Sequence, residues 1–157
     1  MQTQMEISEN NPQTNTIELS QLLADEYLLY NNTRNSHWNV EGTDFYEKHK
    51  FFENQFEEID GVIDNVADRI RSLTRYAYAT LKSFLALTHF REVKTNEDDC
   101  QTYLKELLSD HETIIIHCRE NVHCFGTKDK DPGTNNFITE LMENHEKMAW
   151  FIRSHLQ

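Results

Sequence analysis

The sequence predicts an all-α protein, a four-helix bundle with a short extra helix in the connection between helices 2 and 3. Two observations predict it. The 157-residue chain holds only 4 Gly and 2 Pro, too few turn-formers for the many reversals of a sheet fold. From residue 45 to 73 a line of mainly apolar side chains recurs at alternating steps of four and three, the seam of a helix packed in a bundle. At this length one domain is expected, large enough to bury a core without disulfide or metal staples.

Residues 1–14 are mostly polar and hold no Lys or Arg; they read as a flexible tail ahead of a bundle domain over 15–157. Asn15 with Glu18 forms a capping pair for the first long helix. Leu19, Leu23, Tyr30 and His37 share one line on its surface, and Gly42 marks its end. Asp44 with Glu47 opens the second long helix. Its seam is Phe45, His49, Phe52, Phe56, Ile59, Ile63, Val66, Ile70 and Leu73, about eight turns. Thr80 caps a short helix in "TLKSFLAL". Thr95 or Asn96 caps the third long helix, with Tyr103, Leu104, Leu107, Leu108, Ile114, Ile115, Cys118 and Val122, which stops at Gly126 and the turn "KDKDPG". Thr134 caps the fourth, which carries Phe137, Ile138, Leu141, Met148, Phe151 and Ile152 to the C-terminus.

The formal net charge of -12 repels polyanions and draws cations to any concavity where carboxylates gather. The start "MQTQMEISENNPQTNT" has neither a basic nor an apolar signal region, and no stretch approaches the roughly 18 apolar residues of a membrane span. A cytoplasmic protein without membrane contact is expected. Of three cysteines, Cys118 and Cys124 are six apart on different faces of one helix, too far for a disulfide, and read as reduced thiols filling space.

One histidine in an apolar seam is ordinarily a core or interface residue. His37 and His49 are two, one on each side of the glycine turn, and an acidic line of Glu53, Glu57, Asp60, Asp64 and Asp68 runs beside the seam. Asp64 and Asp68 stand at i and i+4, about 6 Å apart at Cβ, so both carboxylates reach shared cations. For Glu57 and Glu58 a solvated helix face suffices. From His49 to Asp64 is 15 residues, about 22 Å of helix, whereas the ligands of one metal lie within a few ångströms of it. A site using all four groups must therefore form across a two-fold interface between antiparallel copies of the second helix. Mixed imidazole and carboxylate donors suit Fe(II), Mn(II) or Zn(II), and spacing alone does not choose among them.

The segments "HWNVEGTDFYEKHKFFE", "DNVADRIRSL" and "GTNNFITELMENHEKMAWFIRSHL" resemble the Dps family of mini-ferritins, and the likeness runs over nearly all of the chain after the tail. The resemblance implies the ferritin-like fold and a ferroxidase site of His37 and His49 from one subunit with Asp64 and Asp68 from its neighbour. It further implies a hollow homo-dodecamer that oxidises Fe(II), commonly with hydrogen peroxide, stores ferric mineral and protects against oxidative stress. Two positions depart from the family pattern. Asp68 stands before Arg69 where the family usually has Glu, and Glu53 stands four residues after the second histidine where Asp is frequent. These read as a compensating exchange, with Glu53 reaching into the space that Asp68 leaves, as a further metal ligand.

Beside this site Trp38 reads as packing. Glu120 with His123 is a single E-x-x-H pair, read as structural because a diiron centre inside one bundle needs a second pair. His117 and Cys124 share a face but make an incomplete soft-metal site. His89, His111, His145 and His155 have no spacing that yields a reading. Family members that coat DNA use a basic mobile terminus, and the tail here has none; without phosphate neutralisation no appreciable DNA binding is expected at physiological salt. The family's iron-uptake pores point to Asp129 and Asp131, although Asn136 stands where an acid is expected. The rival reading is a non-catalytic cage or DNA-compacting protein with a vestigial metal site.

Overall fold

The computed structural model describes residues 11–92, 99–125 and 131–157. Five helices occur in it, α1 (Asn11–Asn39), α2 (Phe45–Ser72), α3 (Leu81–Leu87), α4 (Cys100–Cys124) and α5 (Pro132–Ser154); no strand occurs among the described residues. α1 packs on α2 and α4, and α5 packs on α4 and α2, so the four long helices close into a ring. α3 lies against α1. The expected architecture is the observed one.

Side-chain contacts set the directions. At one end Asn15 of α1 and Arg69 of α2 both reach Asp131, just before α5, at 3.4 and 3.2 Å. Farther along, Asn32 of α1 meets Asp110 of α4 at 3.4 Å. α1 is therefore antiparallel to both α2 and α4, which leaves α2 and α4 parallel. A 28-residue helix is about 42 Å long, so the chain must return nearly that distance between α2 and α4. This return is why the connection needs length and carries α3.

Helix ends differ from expectation where a neighbouring acid supplies the better cap. α1 starts at Asn11, four residues before the expected Asn15. Asp44 precedes α2 as expected but makes no capping bond; its carboxylate lies 3.8 Å from Lys48. Thr80 caps α3, accepting from the Ser83 N–H at 3.1 Å. Asp99 caps α4 through the Thr102 N–H at 2.8 Å; Thr95 and Asn96 lie outside the described residues, as do Gly126 and Asp129. Asp131, not Thr134, caps α5, accepting from the Thr134 N–H at 3.0 Å, with Pro132 at the position where a missing N–H costs nothing. Thr134 instead donates its hydroxyl to the same carboxylate at 2.6 Å.

The core joins Leu19, Leu23 and Leu29 of α1 with Phe52, Ile59, Val66 and Ile70 of α2, Leu104, Leu107 and Ile114 of α4, and Ile138, Met148 and Ile152 of α5. At about 25 cal/mol per Å² of apolar surface removed from water, such a cluster is the main stabilising contribution. The expected α2 seam is only partly interior. Phe52, Ile59, Val66 and Ile70 are buried, whereas Phe45 is 43% exposed and His49, Phe56 and Ile63 are half-buried. Gln55 and Val62 take interior positions instead, because the buried stripe rotates around α2 and leaves the first turns facing outward.

Candidate metal centre

The turn between α1 and α2 spans only residues 40–44. Gly42 at φ +122° makes it possible, since this backbone region is costly for any residue with a Cβ. The tight reversal lays the last turn of α1 on the first turns of α2 and brings His37 to His49. The imidazoles stack, with ring centroids 3.7 Å apart at 21°. Each is tied to the other's backbone. His37 Nδ1 lies 2.8 Å from the His49 carbonyl, and His49 Nδ1 lies 2.8 Å from the His37 carbonyl.

That exchange decides the tautomers. A carbonyl oxygen only accepts, so each Nδ1 carries the proton and donates it. The His37 carbonyl belongs to the last turn of α1, where no helical N–H follows to satisfy it. In the neutral rings both Nε2 lone pairs are thereby left unprotonated and able to bind a cation, and backbone acceptors orient metal-binding histidines in this way. Phe56 meets His37 edge-on at 5.2 Å, and Phe45 lies 5.1 Å from His49. The Arg34 guanidinium sits 4.8 Å over Phe56 and reaches the Tyr30 hydroxyl at 2.6 Å.

Glu53 stands one turn beyond His49. The Lys50 ammonium, bonded to it, holds this carboxyl below the ordinary carboxylate value, and His37 and His49 act in the same sense. Asp64 and Asp68 are exposed and lie about 22 Å and 28 Å beyond His49 along α2. One subunit therefore brings together His37, His49 and Glu53, and does not bring the aspartates to them. Arg69 turns away, donating to Thr134 Oγ1 at 2.8 Å and to Asp131. Asp131 is buried and occupied by these bonds, which corrects its reading as a pore lining. Trp38 is 63% exposed, so it does not pack within its own subunit; Arg34 lies 5.2 Å over its ring.

Glu120 and His123 are both exposed, in keeping with a structural role. All three cysteines are free thiols, and burial pushes the Cys118 thiol up, with Glu26 and Asp25 adding to it. Two groupings escaped the spacing argument. At the centre of the bundle His111 Nδ1 lies 2.9 Å from His145 Nδ1, and His145 Nε2 lies 2.7 Å from Glu26 Oε1, all three residues buried. The second joins Asp25, His89 and His117 from α1, the segment after α3, and α4. No element-by-element spacing could expose it, since each residue comes from a different segment. The central trio did leave a signal. Glu26 falls on the interior line of residues 19, 22, 29 and 33, His111 on 104, 107, 114 and 118, and His145 on 138, 141, 148 and 152.

Among the described residues no helix is long and apolar enough to cross a membrane. Two antiparallel hairpins joined by a long return, with paired histidines at the first hairpin, define a ferritin-like bundle. The family model for the ferritin-like domain matches residues 18–157. The low temperature-induced protein of Nostoc sp. is 36% identical over 139 residues, covering 88% of this chain and 78% of that one. The DNA protection during starvation protein of Helicobacter pylori is 29% identical over 138 residues, 88% and 95% of the two chains. The crystal structure of the Dps protein of Vibrio cholerae, described as one of the ferritin-like diiron-carboxylate proteins, superposes with a TM-score of 0.90 over 99% of this chain and 100% of its own, at 24% identity. The chain belongs to the ferritin-like family, in its Dps mini-ferritin branch.

Proposed function

We propose that the chain oxidises Fe(II) with hydrogen peroxide and stores the ferric product inside a cage of twelve copies, limiting oxidative damage. The observation that carries this reading is the reciprocal Nδ1–H to carbonyl exchange of His37 and His49. It spends both Nδ1 protons on the backbone and leaves the two Nε2 lone pairs of the stacked rings to bind a cation.

Iron is the substrate here. His37 and His49 of one subunit bind it together with Asp64 and Asp68 of the partner subunit, supplied by a two-fold axis that sets two α2 helices antiparallel. The imidazoles and carboxylates neutralise and orient the cation, and two Fe(II) give one electron each to a peroxide, which with two protons leaves as two waters. Glu53 joins the ligands when Lys50 releases it, offsetting the shorter Asp68. Trp38, exposed on the isolated subunit, is covered by the partner.

Stopped-flow absorbance after mixing Fe(II)-loaded protein with peroxide tests the reading. Against the parent, His37→Ala and Asp64→Ala are each expected to slow ferric formation about tenfold or more, the scale on which altering a metal's surroundings lowers affinity. Equal rates in all three proteins would favour the rival, a cage whose metal site is vestigial or one whose work is the DNA protection that names the Helicobacter relative. The charge of -12 weighs against that role, since affinity for DNA comes mainly from neutralising phosphates.

A further inference from the structure

We propose that Asp25, His89 and His117 form a second metal site, distinct from the histidine pair, that takes a divalent transition cation of the Zn(II) class and clips the segment just after α3 to the bundle. One ligand atom from each residue lies within 4.8 Å of the other two. Asp25 is on α1, His117 on α4, and His89 in the irregular segment after α3. Along α1 Asp25 is 12 residues from His37, about 18 Å, so the two sites share no ligand.

The carboxylate is fixed before any cation arrives. Asp25 is buried, and its Oδ1 accepts from the Thr88 hydroxyl at 2.7 Å and from the His89 N–H at 2.7 Å. Its Oδ2 faces His89 Nδ1 at 2.8 Å. The His117 ring lies 4.5 Å from that of His89, centroid to centroid. Tetrahedral zinc with bonds of 2.0–2.2 Å holds neighbouring ligand atoms about 3.3 Å apart. A cation entering in place of the proton between Oδ2 and Nδ1 thus asks this contact to open by about half an ångström. His89 is free to supply that movement, since its side chain is 42% exposed.

The surroundings favour a cation with water on its open side. The group borders a cavity of about 250 Å³ that Glu18 and Glu120 also line. Two imidazoles and one carboxylate are borderline donors that select first-row transition metals over Mg(II) or Ca(II). With three protein donors, the fourth position is left to solvent. A metal bridging α1, α4 and the segment after α3 adds its binding free energy to the folded state.

Anomalous scattering at the zinc edge from crystals of the assembled full-length protein, with bound Zn(II) counted by chelator competition, tests this. A peak is expected 2.0–2.2 Å from nitrogen atoms of His89 and His117. His117→Ala, at a half-buried position that leaves the core intact, is expected to lose the peak and one zinc per chain. His37→Ala/His49→Ala is expected to keep the peak, and failure of iron oxidation in that variant leaves this site untouched. No peak at several-fold excess Zn(II), or an unchanged zinc count in His117→Ala, would overturn the proposal.

Discussion

At the scale of single residues, the centre of the bundle is polar where a hydrocarbon layer would be ordinary. His111 is surrounded by core, donates to or accepts from His145, and finds no partner for its Nε2 among the described residues. Burial, reinforced by the neighbouring His145, holds its pKa well below the ordinary 6.5. The folded His111 therefore stays neutral at pH values where the unfolded chain takes up a proton. Between pH 6.5 and the lowered folded value the unfolded state binds more protons, so stability is intact above 6.5 and is lost as the pH falls below it. Thermal melting at pH 7.5 and 5 should show the parent losing several degrees more than His111→Gln. An equal loss in both would mean that His111 contributes nothing to the acid sensitivity. The placement of Glu26, His111 and His145 was readable, because each falls on the interior line of its own helix. Their mutual contact was not, since the line says which face is inside and nothing about height relative to another helix.

At the scale of elements, caps and turns account for where helices end. α2 closes in a motif in which the Thr74 N–H reaches the Arg71 carbonyl at 2.9 Å and the Arg75 N–H reaches the Ile70 carbonyl at 3.3 Å. This pattern requires a left-handed residue just past the helix, usually glycine. Here it is Thr74, at φ 64°. A β-branched side chain in that region costs about 1–2 kcal/mol, while glycine adds about 0.5–1 kcal/mol of unfolded-chain entropy. The difference favours Thr74→Gly, which should stabilise by about 0.5–1 kcal/mol and raise the melting temperature by a few degrees. A lower melting temperature would show that Thr74 makes a contact worth more than its backbone strain. Helix existence and order were legible from the seam and the scarcity of turn residues. Cap identity was less so, because Asp131 and Thr134 are both competent caps in isolation, and Asp131 prevails by also meeting Arg69 and Asn15 from two other helices.

At the scale of the molecule, one subunit leaves much apolar surface in water. Tyr76 is 81% exposed, and Tyr46, Leu81, Trp38 and Trp150 are each more than half exposed. Around the return from α2, Tyr76 and Tyr78 line a broad concavity with Ile17 and Leu87. Exposed apolar surface on this scale marks a place where another surface docks, and copies of this chain are the occupant that the proposed cage supplies. Light scattering of the purified protein is expected to give about twelve times the 18.7 kDa of one chain, the mass of the proposed cage; the two-subunit site by itself requires only a dimer. A particle of monomer mass would remove the cage and the shared site together.

Composition and periodicity by themselves determined the helical class, the four long segments and the cation-seeking charge, and singled out His37, His49, Asp64 and Asp68, because helical spacing is a local property of the chain; Glu53 entered as a candidate ligand only through the family resemblance. Only the tertiary structure decided that the His37 and His49 Nδ1 protons go to each other's backbone carbonyls and that Asp25, His89 and His117 converge from three segments. Those outcomes depend on how helices are rotated and slid against one another. Residue spacing along the chain leaves both quantities open, and packing of the shared core sets them.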